Sequence, residues 1–118
     1  MSLQAYQKTQ RSTEHPRDTE YRLFAQVTQA LIEANKHGLE NMTGLIDVLD
    51  WNRRLWSALA ADCSSDAIQL PGPLRAQIIS LALWVSRFSS EATRNGGSLE
   101  PLIDVNKSIM AGLSQRPA

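Results

Sequence analysis

The sequence predicts an all-α fold: a compact bundle of about four main helices, preceded by a short N-terminal helix or arm. Three observations support this. Breakers at Pro16, Gly38, Pro71-Gly72-Pro73, Gly96-Gly97 and Pro117 cut the chain into helix-length blocks. Within the blocks, apolar residues recur every three to four positions. None of the blocks shows the alternation of a half-buried strand. At 118 residues the chain is the size of one domain, large enough for a core without disulfides or structural metal. The expected division is an arm or short helix over residues 1–15 and a single bundle domain over 16–115.

The first main helix is expected from Pro16 to about Lys36. Tyr21, Phe24, Thr28 and Leu31 form one row, and Leu23, Val27, Ala30 and Ala34 a second beside it. Pro16 suits a first turn, Asp18 and Glu20 complement the positive end of the helix dipole, and Gly38 is a natural stop. The second helix is expected from Met42 to Ala61, capped by Asn41 or Thr43. Its stripe of Leu45, Val48, Leu49, Leu55, Trp56 and Leu59 has Asn52 in the middle. The third helix should start at Pro71 or Pro73 and reach Thr93. Its row Leu74, Ile78, Leu81, Val85 and Phe88 has seam spacing, and Ile79, Ala82, Leu83 and Trp84 make its middle apolar nearly all round, which predicts a central position. The fourth helix should run from Ser98, a good N-cap with Pro101 in the first turn, to Leu113. It too carries an asparagine, Asn106, within its apolar stripe.

Composition excludes several classes of function. Lys and Arg number 12, as do Asp and Glu, so zero net charge gives no electrostatic footprint for nucleic acid or an anionic membrane. Residues 38–70 are nonetheless locally acidic, with Arg53 and Arg54 against five carboxylates. The single cysteine, Cys63, leaves no internal disulfide and no multi-cysteine metal site. No signal-like apolar core opens the chain, and no apolar run approaches the ~18 residues of a membrane span, so a soluble cytoplasmic protein is expected. His15 and His37 fall at helix ends, and Cys63 has no histidine near it in sequence. Asp47 and Asp50 read as a solvated face. Pro71-Gly72-Pro73 lacks the backbone donors needed to cradle phosphate. The expectation is a protein that is not an enzyme and needs no cofactor or metal.

The remaining informative side chains are Trp51, Asn52, Arg53, Arg54, Leu55, Trp56 and, on the third helix, Arg75. Tryptophan with arginine is the usual composition of interface hot spots. Trp56 and Trp84 read most simply as core, whereas Trp51 sits at the edge of the seam as core or exposed anchor. The two asparagines read first as register-fixing amides, each needing partners if buried, because an unpaired buried polar group costs about 1–3 kcal/mol.

Across nearly its whole length the chain resembles the flagellar biosynthesis regulator FlaF family of alphaproteobacteria. The likeness rests on Tyr6, Pro16-Arg17 and Glu20, then Trp51-Asn52 with Leu55-Trp56. It continues through Leu70-Pro71 with Leu74-Arg75-Ala76, Ile79-Ser80-Leu81 with Val85, and Asn106 with Gly112-Leu113. Pro73 departs from the pattern, as an additional proline. The resemblance implies a helical cytoplasmic protein that supports flagellin production and export, with flagellin as partner and the regulator FlbT as a second. The expected mechanism is capture of an amphipathic flagellin segment in an apolar groove between helices. Leu55 and Trp56 would form or support the groove walls, Trp51 an anchor, and Arg53, Arg54 and Arg75 the rim. The alternative is post-transcriptional control of flagellin expression through FlbT; direct action on RNA is disfavoured by the neutral charge.

Overall fold

The computed structural model of the protein describes residues 16–63 and 70–114, and the arm or helix expected over 1–15 lies outside them. The described residues form four α-helices and one short 3-10 turn, so the all-α class holds. They are α1 (Pro16–His37), the 3-10 turn (Gly38–Asn41), α2 (Met42–Cys63), α3 (Gly72–Asn95) and α4 (Glu100–Ser114).

The helix ends follow local chemistry. Gly38, at φ +56°, lets the chain leave α1 into the 3-10 turn. Of the two caps the sequence offered for α2, Asn41 serves: its Oδ1 accepts the Gly44 N–H at 3.1 Å. Two prolines bracket the start of α3, where a missing N–H is harmless, and the Arg75 N–H closes the first turn on the Pro71 carbonyl at 3.0 Å. At the far end of α3, Gly96 takes φ +70° while its N–H bonds the Ala92 carbonyl at 2.8 Å. A Cβ at Gly96 would come within about 3.0 Å of the Leu39 side chain, so this turn is closed to larger residues on two counts. The Ser98 hydroxyl accepts the Glu100 N–H at 3.2 Å, but the first helical bond of α4 runs from the Ile103 N–H to the Leu99 carbonyl at 3.0 Å, so Leu99 and not Ser98 is the N-cap.

The helices pack in the order α4–α1–α2–α3. Helix α1 lies against both α4 and α2, and α2 also packs extensively on α3, whereas α3 and α4 touch only slightly. The core is made by Phe24, Val27 and Leu31 of α1, Leu45, Leu49, Trp56 and Leu59 of α2, Ile78 and Val85 of α3, and Leu102, Ile103, Ile109 and Leu113 of α4. Phe24 meets Trp56 edge-on, with ring centroids 5.4 Å apart and planes at 85°.

This order corrects one expectation. Helix α3 is peripheral and α1 and α2 are the inner pair. With one extensive neighbour, α3 can hide only a single stripe: Ile78, Val85, Ser89 and Ala92. Ile79 is left exposed, and Leu83 is 61% exposed. An apolar side chain off the buried stripe looks the same in sequence as one on it, so a helix apolar all round reads as central when it is not.

Candidate functional site

A polar layer crosses the core where three helices converge. Asn52 of α2 and Asn106 of α4 are fully buried, and Thr28 of α1 nearly so. The Asn106 amide donates to Asn52 Oδ1 at 2.8 Å and to Thr28 Oγ1 at 3.1 Å, and its own Oδ1 accepts the Trp56 indole N–H at 2.8 Å. Both amide donors and the amide oxygen of one side chain are thereby directed at two other helices. Among the described residues the backbones of α2 and α4 do not approach each other, so this layer is their diagonal tie. Asn52 Nδ2 is the one member left without a partner.

The sequence singled out seven residues, and the structure separates them. Asn52 and Trp56 are sealed inside and unavailable to a partner on the surface; they hold the layer just described. Leu55 is half-buried against the core. Arg75 turns back to the end of α2, donating from Nε at 3.0 Å and Nη2 at 2.6 Å to the Cys63 carbonyl, so it ties α3 to the α2 C-terminus. Trp51, Arg53 and Arg54 remain at the surface. Trp51 is 37% exposed. Arg53 and Arg54 both grip Asp50, at 3.0 Å and 2.9 Å, one on each carboxylate oxygen. Trp84, the third tryptophan, is half-buried and packs on Phe88 with centroids 5.2 Å apart.

Two grooves flank α2. One, of about 260 Å³, lies between α1 and α2 and is lined by Ala30, Glu33, Ala34, His37, Asn41, Gly44, Leu45 and Val48. Trp51 follows Val48 by three residues and so continues that lining face by one helical turn. The small residues Ala30, Ala34 and Gly44 make room for the trough, and Trp51, seven residues after Gly44, lies on the same side of α2. The other groove, of about 380 Å³, lies between α2 and α3 and is more polar, with Ser89, Ser90 and Thr93 facing Asp47, Asp50 and Arg53. Sequence reasoning missed the apolar side chains exposed off the α2 stripe, Leu39, Met42 and Ile46. At 100° per residue Met42 and Ile46 fall beyond the Leu49 edge of the buried arc that runs from Val48 to Leu49, Met42 by only about 20° and Ile46 by about 60°.

Ionisable groups cluster where α1 begins and α2 ends. Burial, reinforced by the facing charge of Asp62, raises the Glu20 carboxyl above its ordinary range, and among the described residues its Oε2 has no hydrogen-bond partner. Burial likewise pushes the Cys63 thiol up; Arg75 pulls against this while Asp62 and Glu20 add to it. Among the described residues no group of His, Cys, Asp and Glu is arranged to hold a metal ion, and no helix is long and apolar enough to cross a membrane.

The described residues therefore define an all-α bundle, tied across its core by buried amides, with Trp51, Arg53 and Arg54 meeting solvent on α2. Within that class the chain belongs to a specific family: the family model for flagellar protein FlaF matches residues 2–113. No curated protein and no solved structure matches the chain.

Proposed function

We propose that this flagellar protein is a flagellin-binding secretion chaperone and regulator of flagellin synthesis, acting by binding and without a catalytic step. An amphipathic segment of flagellin seats in the groove between α1 and α2. Flagellin ends are adhesive because they are built to polymerise, and covering them keeps the subunit fit for export. The observation that carries this reading is Trp51, a large aromatic left 37% exposed on the same side of α2 as a trough of small residues, in a chain of a flagellar family. Burying a tryptophan at the centre of an interface commonly contributes 2 kcal/mol or more. Arg54, three residues beyond Trp51 and held by Asp50, is the rim charge beside it, whereas Arg53 faces the other groove.

The test is co-expression with flagellin and, separately, with FlbT, followed by size-exclusion chromatography. The expected result is a flagellin complex that Trp51→Ala weakens by at least ~30-fold, the equivalent of about 2 kcal/mol. Exposed as it is, Trp51 can be truncated with the fold intact, which circular dichroism checks. A folded Trp51→Ala chain that binds flagellin as tightly as wild type removes Trp51 from the site. A complex with FlbT and none with flagellin moves the role to control of flagellin expression through FlbT.

A further inference from the structure

The flank of α2 away from Trp51 carries a second surface. Leu39 is 52% exposed, Met42 40% and Ile46 43%. Spaced three and four apart, they form one row along the 3-10 turn and the first turns of α2. Ile46 and Trp51 are five residues apart, about 140° around the helix, so the row and the Trp51 groove face different ways. Ile46 also lines the 380 Å³ groove between α2 and α3, which gives the row a trough beside it.

The charges around this row leave a negative balance. Arg53 and Arg54 share Asp50, an excess of one positive charge, and Arg94 across the groove is paired with Glu91 at 3.0 Å, so Glu40 and Asp47 outweigh what remains by one charge. Glu40 and Asp47 are exposed and, among the described residues, have no ion pair. No basic residue lies between Gly38 and Asn52. An exposed apolar row bordered by a net negative charge fits a segment that is apolar on one side and basic at its edges.

We propose that the Leu39–Met42–Ile46 row, with Glu40 and Asp47, is a docking site for a basic amphipathic helix of a partner protein. Apolar side chains of that helix cover the row, while Lys or Arg on its margins pair with the two carboxylates. The site goes beyond the flagellin reading and does not depend on it.

The probe is a pair of fluorescein-labelled 18-residue peptides, one alternating Leu with Lys at helical spacing and the other with Glu in place of Lys. Both are titrated with the full chain at low ionic strength and followed by anisotropy. The Lys peptide is expected to bind at least tenfold tighter than the Glu peptide, with the preference falling as salt is added. Asp47→Lys is expected to weaken it fivefold or more, and Met42→Ser with Ile46→Ser comparably. Asp104→Lys, the same charge change on an exposed position of α4, and Trp51→Ala are each expected to leave it within twofold. The proposal is overturned if neither peptide binds, or if the Glu peptide binds as well as the Lys peptide. It is also overturned if Asp104→Lys weakens binding as much as Asp47→Lys, which would make the attraction merely global. Sedimentation showing a dimer that the two serine substitutions dissolve would assign the row to a second copy of the chain and overturn it too. Because Trp51→Ala is silent with this probe and decisive with flagellin, failure of one site is distinguishable from failure of the other.

Discussion

Asn106 is the residue with most depending on it. Its amide satisfies Trp56 and Asn52 on α2 and Thr28 on α1, and all three are buried. Asn106→Ala would leave a buried indole N–H with no acceptor and open a cavity at the crossing of three helices. A loss of about 2–4 kcal/mol is expected in urea denaturation, larger than for Asn52→Ala, which removes one acceptor and also the orphan Nδ2. Glu20 gives a pH signature. Its folded-state pKa is raised, so the folded state favours the protonated carboxyl. The stabilising contribution of that proton is therefore complete below the unfolded value and lost as pH rises through the raised one. Glu20→Gln, which stays neutral, should raise Tm at pH 7, and the gain over wild type should shrink as pH is lowered toward 4. Scans at several pH values would show this; an unchanged or lowered Tm at pH 7 would contradict it. The sequence made it plain that two asparagines lay in apolar stripes and needed partners. That each stripe would supply the other's partner was not legible, because the pairing depends on how far α4 slides along α1 and α2, which no spacing within one helix records.

At the level of elements, what the sequence made visible was local. Prolines at helix starts, glycines after helix ends and the three-to-four spacing of apolar residues placed all four helices within about two residues of their observed limits. Neighbour relations were less visible, as α3 illustrates. Ile78 and Ile79 are adjacent and identical in chemistry, yet the first is fully buried and the second exposed. Ile78→Ala should cost about 2–5 kcal/mol, while Ile79→Ser should stay within about 1 kcal/mol of wild type in the same denaturation experiment. Equal losses at the two positions would restore α3 to the central place that its composition suggested. Arg75 carries a similar lesson. Its charge marked it as a rim residue in sequence, but the α2 C-terminus presents a carbonyl that a guanidinium satisfies twice over.

For the whole molecule, composition and pattern settled the class of fold, and family membership settled its flagellar setting. The candidate surface was only half legible. The segment Trp51–Trp56 drew attention in the sequence, but a helix of that composition has too many large side chains for one face, and only tertiary packing decides which are hidden. Trp56 went inward and Trp51 outward. That division has a practical consequence. The most deeply enclosed of the three indoles lends its N–H to the last helix of the chain, so its emission reports, with no label attached, whether that helix is seated. In a chain whose Trp51 and Trp84 are replaced by Phe, a red shift appearing before the helical signal melts would mark α4 as the first piece to peel away.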